Sequence, residues 1–128
     1  MGIEYFIPRH FVGGCSNTGR FPLTLHDMPV GYTERVMGAT PGVYLFRRNG
    51  WPAYVGRGDH DVELRARRSV TEGLYDCNYD VYPVSSARQA YLLECRLFHR
   101  HDPPDNLRHP AAPPGTNWRC PDKSCPWS

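Results

Sequence analysis

The stretch that most constrains this chain runs from Gly42 to Gly56 and reads G-V-Y-L-F-R-R-N-G-W-P-A-Y-V-G. Two short apolar-aromatic runs flank Asn49-Gly50. Both residues of an Asn-Gly pair tolerate the positive φ of a type I′ turn, which makes the pair the strongest short signal for a β-hairpin. Gly42–Arg48 and Trp51–Gly56 are therefore expected to pair as antiparallel strands. Side chains alternate across a strand, so Tyr44 and Phe46 share one face while Val43 and Leu45 share the other. A tight turn brings Tyr44 and Tyr54 near one another as cross-strand or diagonal neighbours. On the hairpin alone, both also read as ordinary strand tyrosines.

The remaining elements follow from local chemistry. Asp59 or Asp61 can cap a helix running to about Val70, with Arg65, Arg67 and Arg68 fanned around one turn. Asp80–Val84 reads as a third strand, with Pro83 placing it near an edge or end. Ser86-Ala87-Arg88-Gln89 fits a capping box, and Ala90, Leu93, Leu97 and Phe98 recur at helical spacing as far as His101. Asp102-Pro103-Pro104 stops that helix. Before Pro41 the signals are weak: Ile3–Ile7 alternates like a strand, and Thr33–Met37 suits a short helical turn. The expected organisation is an N-terminal extension packed on the core (1–40), a core (41–107) and a proline- and cysteine-rich tail (108–128). The fold class is α/β (α+β), a small three-stranded mixed or antiparallel sheet flanked by helices.

The 128 residues suffice for one domain with a modest core. The net charge of +2 does not by itself announce nucleic acid. All basic residues except Lys123 are arginines. That suits bidentate phosphate contacts, and arginine-rich codon usage would produce it equally well. No run approaches the roughly 20 apolar residues of a membrane helix, and the N-terminus lacks a signal-peptide pattern. Five cysteines, an odd number, argue against a complete disulfide framework. Together these point to a reducing, cytoplasmic setting without a membrane.

Gly42-Val43-Tyr44, followed after nine residues by Tyr54-Val55-Gly56, resembles the double signature of the GIY-YIG nuclease superfamily. In that family the two motifs lie on adjacent strands, followed by a helix with an arginine, a later helix with a glutamate, and an asparagine beyond. Arg65, Glu94 and Asn106 stand here in that order, and the resemblance covers about residues 41–107. It implies a GIY-YIG-like fold and metal-dependent hydrolysis of phosphodiesters, with DNA as the favoured substrate. Tyr44 and Tyr54 correspond to the motif tyrosines, supported by Gly42 and Gly56. One tyrosine would assist deprotonation of the attacking water. A free phenol has a pKa of ~10, so that role needs nearby positive charge to lower it.

Glu94 would hold one Mg²⁺ or Mn²⁺ ion. Read without the resemblance, it is a boundary residue or a salt bridge to Arg57 or Arg65. Arg65 would stabilise the phosphate, with Arg67 as its competitor. Arg57, Arg67, Arg68 and His60 are the further phosphate or nucleic-acid contacts. Asn106 would position the tyrosine strand or the glutamate helix, or cap a turn. Many relatives carry His or Tyr one turn after the helix arginine. Ser69 stands there instead, and His60 is the candidate substitute.

A second constellation is Cys120-Pro-Asp-Lys-Ser-Cys125, with His99, His101 and His109 upstream and Cys95 on the helix. Two thiolates with one or two imidazoles make a tetrahedral zinc site, for which Cys120, Cys125, His109 and His101 are the candidate ligands. A pair of free thiols or one disulfide is the alternative. The function expected is thus an endonuclease, with a homodimer or partner protein supplying sequence choice. The alternatives are a catalytically weak nucleic-acid-binding module and a zinc-stabilised structural domain. The two enzyme-fold readings differ in cleavage, the third in zinc content.

Overall fold

A computed structural model of the chain describes residues 9–12, 39–70, 73–76 and 78–128. The elements are β1 (Arg9–Val12), β2 (Gly42–Arg48), β3 (Trp51–Gly58), α1 (Val62–Ser69), β4 (Asn78–Pro83) and α2 (Ala87–His101). The expected strand at Ile3–Ile7 and helical turn at Thr33–Met37 lie outside the described residues.

The hairpin forms around Asn49 and Gly50, whose φ values of 55° and 83° give the two-residue turn its handedness. Both turn amides donate to the Asp76 carboxylate at 2.8 Å. The register pairs Tyr44 with Gly56, Phe46 with Tyr54 and Arg47 with Pro52. Ala53 is the extra residue of a bulge, and the bulge keeps Tyr54 on the same face as Tyr44 and Phe46. β4 pairs antiparallel with β2 on its other side, and β1 with β4, giving the order β1-β4-β2-β3. The three strands read from the sequence thus form an antiparallel sheet, to which β1 adds a fourth member.

Among the described residues, each face of the sheet carries one helix. Tyr44, Phe46, Tyr79 and Val81 pack under Val62 and Ala66 of α1. Val43, Leu45 and Val55 pack under Ala90, Leu93 and Leu97 of α2. Both helices begin at the caps expected from their sequences. The Asp61 carboxylate accepts from the Leu64 amide, and the Ser86 hydroxyl accepts from the Gln89 amide. The Gln89 side chain reaches back to the Ser85 amide, one residue beyond the N-cap amide that a standard capping box uses. Asp102 in the left-handed region closes α2.

The tail from 108 to 128 contains turns but no helix or strand. It is held on α2 by a cluster of Tyr91, Cys95, Cys120 and Cys125, against which Ala112 and Trp118 pack. Among the described residues, no helix is long and apolar enough to cross a membrane.

Candidate active site

β3 is an edge strand, so its outward amides and carbonyls need partners from elsewhere. Asn106 supplies them at Val55. Its Oδ1 accepts from the Val55 amide at 2.8 Å, and its Nδ2 donates to the Val55 carbonyl at 2.9 Å. The Asp105 amide donates to the Ala53 carbonyl at 2.9 Å, continuing this short false ladder. Of the roles open to Asn106 in the sequence, the structure gives it the tyrosine strand.

That strand edge borders a cleft of about 140 Å³ lined by Tyr44, Tyr54, Gly56, Arg57, Arg65, Glu94 and Ala111. Both layers of the fold contribute. Tyr44 and Tyr54 come from the α1 face of the sheet, their rings 6.3 Å apart. Gly56 lies beneath the Tyr44 phenol. A methyl group there would overlap the ring Cζ and the hydroxyl, which is why no larger residue fits. The Tyr44 hydroxyl is hydrogen-bonded to Ser69 Oγ at 2.8 Å. Ser69, one turn after Arg65, thus meets the phenol directly, while His60 is exposed on the preceding loop and outside the cleft.

Arg57 and Glu94 come from the α2 side. Glu94 is only 8% exposed, and its Oε1 accepts from Arg57 Nη1 at 2.7 Å. The salt bridge left open by the sequence is therefore present. Arg57 also donates from Nε to Asp59 at 2.7 Å and from Nη2 to the Ala111 carbonyl at 2.9 Å. Its guanidinium lies 5.4 Å from the centre of the Tyr91 ring. All three guanidinium nitrogens are thus engaged, and Arg57 stands as a strut between β3, α2 and the tail.

The electrostatics follow from burial. Loss of water pushes the Glu94 carboxyl up to about 7, although Arg57 opposes the shift. Burial works against the Arg57 cation, yet Glu94 and Asp59 hold its pKa above the ordinary value. Burial pushes the Tyr44 phenol up to about 12, with the Ser69 hydrogen bond acting the other way. Tyr54 moves in the same direction, by burial and by the Glu94 charge. The lowering that a tyrosine base requires is thus not supplied by the arginines around it.

The three helix arginines part company. Arg65 is exposed, lines the cleft and makes no ion pair among the described residues. Arg67 turns away to Glu63, a fully buried carboxylate on the other side of α1. Arg68 is exposed beyond the cleft. Gly42 supports the site from a distance, where a Cβ would come within 2.5 Å of the Tyr82 carbonyl.

Among the described residues, Glu94 is the one carboxylate that lines the cleft. Mg²⁺ binds through one or two carboxylates and keeps several waters. With about 30 Å³ per water, the cleft has room for such an ion and part of its shell. The donor set fits, with Arg57 sharing the carboxylate.

The expected zinc ligands need one correction. The donor atoms of His99, His109, Cys120 and Cys125 lie within 4.8 Å of one another, and His101 is not among them. Two residues along a helix turn the side chain by about 200°, so His99 and His101 cannot both face the tail. His99 follows Cys95 by one turn, and that spacing is the signal that could have selected it. His101 borders a larger hollow of about 590 Å³, with Arg47, Arg96 and Arg100, at whose margin His99 and Asp122 also lie.

No protein-family model matches the chain, and no curated protein matches it. Among solved structures, the chain is similar to the GIY-YIG N-terminal endonuclease domain of UvrC from Thermotoga maritima. The form bound to magnesium is 27% identical, with a TM-score of 0.47, over 62% of this chain and all of that one. A point mutant bound to its catalytic divalent cation is 26% identical, with the same TM-score, over 63% of this chain and all of that one. In the present chain the two motif strands are adjacent, the arginine helix and the glutamate helix follow in order, and the asparagine locks the second motif strand. That order of elements and motifs is the one the motif resemblance implies.

Proposed function

We propose that this GIY-YIG-like protein is a divalent-cation-dependent endonuclease that hydrolyses phosphodiester bonds in DNA. The supporting observation is the convergence of Tyr44, Tyr54, Arg57, Arg65 and Glu94 on one cleft. Glu94 would hold Mg²⁺ or Mn²⁺, and the bound ion supplies Lewis-acid polarisation of the scissile phosphate and stabilisation of the leaving oxygen. Arg65, exposed and without an ion-pair partner among the described residues, binds the phosphate and opposes the charge that grows on it. With Tyr44 held near 12 and Tyr54 also raised, both phenols are protonated at neutral pH and act as hydrogen-bonding groups. They orient the attacking water and the phosphate oxygens from the α1 side. Arg57 fixes the Glu94 side chain from the α2 side and adds positive potential.

Sequence choice would come from a dimer, a partner protein or a further module. A reducing, cytoplasmic setting is part of the proposal and rests on the odd number of cysteines. The test is relaxation of supercoiled plasmid in Mg²⁺ or Mn²⁺ by the wild type, Glu94→Ala and Arg65→Ala. Loss of about 10²-fold or more in rate is expected for each variant. Cleavage unchanged in both would overturn the reading.

The direct Arg57–Glu94 ion pair favours a second reading, because it engages one oxygen of the carboxylate that would hold the cation. A module that binds nucleic acid without turnover gives a gel shift and no cleavage in either metal.

A further inference from the structure

We propose that His99, His109, Cys120 and Cys125 form a structural zinc site that fastens the C-terminal tail to α2. The four donor atoms, two imidazole nitrogens and two thiol sulfurs, lie within 4.8 Å of one another. With Zn–S near 2.3 Å and Zn–N near 2.0–2.1 Å, the edges of a tetrahedral N₂S₂ site are roughly 3.3–3.8 Å. The Nε2 of His99 is already 3.3 Å from Cys120 Sγ. Drawing the widest pair together by about 1 Å closes the set.

The surroundings show which atoms are meant to bind. His109 Nδ1 lies 2.7 Å from the Pro110 carbonyl, an acceptor, so Nδ1 carries the proton and Nε2 presents its lone pair. That Nε2 is buried and has no hydrogen-bond partner among the described residues. An unpaired buried nitrogen is costly, and a metal removes the cost. His99 is placed in the same sense but more loosely. Its Nε2 faces the thiols, and its Nδ1 lies 3.8 Å from the Asp122 carboxylate. Asp122 is itself held by the Ser124 amide and hydroxyl at 3.0 and 2.7 Å. His109 thus has the outer hydrogen bond that orients metal-bound histidines, and for His99 the Asp122 carboxylate stands on the corresponding side, beyond hydrogen-bond distance.

The thiols are prepared in a similar way. The Trp127 amide lies 3.4 Å from Cys125 Sγ, as an N–H donor to a thiolate would. The Trp127 indole stacks on His109 with rings 5.4 Å apart and 10° from parallel. The Cys120 amide donates to the Trp127 carbonyl at 3.0 Å, which folds the last residues back over the site. Both cysteines are free and buried. A closed set of four protein ligands is the pattern of a structural site, and a tetrahedral N₂S₂ set selects zinc over the hard cations.

The tail needs such an anchor. It has no helix or strand, and its apolar contact with α2 is small. Metal binding there becomes folding free energy. The tail also carries Ala111, whose carbonyl holds Arg57. The zinc site is independent of the nuclease reading, and its readout is metal content rather than cleavage.

The full chain, purified under reducing conditions from zinc-supplemented cells, is expected to contain about one zinc per chain by elemental analysis. His109→Ala and Cys125→Ser should lose most of it, while Cys95→Ser and His101→Ala keep it. Because the first pair of variants could fail to fold, Co²⁺ exchange into the wild type is the second measurement. It should give the visible bands of tetrahedral cobalt with thiolate charge transfer. Wild-type protein without zinc and without those bands would overturn the proposal, as would a Cys120–Cys125 disulfide under reducing conditions or zinc retained by His109→Ala.

Discussion

Asn106 satisfies both outward main-chain groups of Val55 with a single side-chain amide, at 2.8 and 2.9 Å. It acts as one residue of an added strand, and it fixes the strand that carries Tyr54 and Gly56. Asn106→Ala is expected to cost about 2–3 kcal/mol, because two hydrogen bonds are lost and the Val55 groups keep only what water can reach. Asn106→Asp should lose at least as much at neutral pH. It retains the acceptor for the Val55 amide but sets a carboxylate oxygen against the Val55 carbonyl. Urea denaturation followed by circular dichroism measures both.

Gly56 and Tyr44 make a second testable pair. A Cβ at position 56 would occupy the space of the Tyr44 phenol, so Gly56→Ala must displace the ring or the strand. Tyr44 is 2% exposed and packs on Phe46 at 5.0 Å, so it has little room to move. A loss of about 2–3 kcal/mol is expected. In Tyr44→Ala the added methyl meets space rather than a ring. The double mutant should therefore be more stable than the sum of the two single losses predicts, and a double-mutant cycle measures that coupling.

How much of this was legible in the sequence depended on how local the cause is. The Asn49-Gly50 turn, the Asp61 and Ser86 caps and the end of α2 at Asp102 arise from contacts within a few residues, and each was readable. β1 was not, because its place is set by pairing with residues some seventy positions away. The convergence of Tyr44, Tyr54, Arg65 and Glu94 was expected only from the motif resemblance. Nothing in residues 41–107 alone indicated that Arg57 would also reach Ala111 of the tail. His99 differs from His101 in the sequence only by following Cys95 by one turn, and that Cys95 faces the tail is set by how α2 lies against it. Ser69 read as a departure from a pattern, because its meeting with Tyr44 depends on how α1 lies across the sheet.

The Glu94 carboxyl provides a pH signature. Its folded-state pKa is about 7 against an ordinary value of 4.5, with burial as the chief cause. The folded protein therefore binds this proton more tightly than the unfolded chain. The associated stability is fully present below pH 4.5, is lost as pH rises through 7, and stays lost above. A shift of that size corresponds to about 3 kcal/mol. In chelator, the wild type should lose stability over this window relative to Glu94→Gln, which has no proton to release. Equal slopes for the two proteins between pH 4.5 and 7 would contradict the burial of an ionisable group at this position.

Arg65 and Arg67 are two residues apart on α1 and have opposite expected phenotypes. Arg65 is exposed at the cleft, so Arg65→Ala should leave stability within about 0.5 kcal/mol of the wild type. Its effect should appear in nucleic-acid cleavage or in phosphate-dependent binding. Arg67 makes a charged hydrogen bond to Glu63, whose side chain is fully buried. Arg67→Ala removes that bond from a carboxylate out of reach of water and should cost about 3 kcal/mol. Its activity, compared at a temperature where both proteins are folded, should stay near that of the wild type. Denaturation curves and cleavage rates on the same two variants separate the roles. A stable Arg67→Ala that has lost cleavage would reverse the assignment of the two arginines.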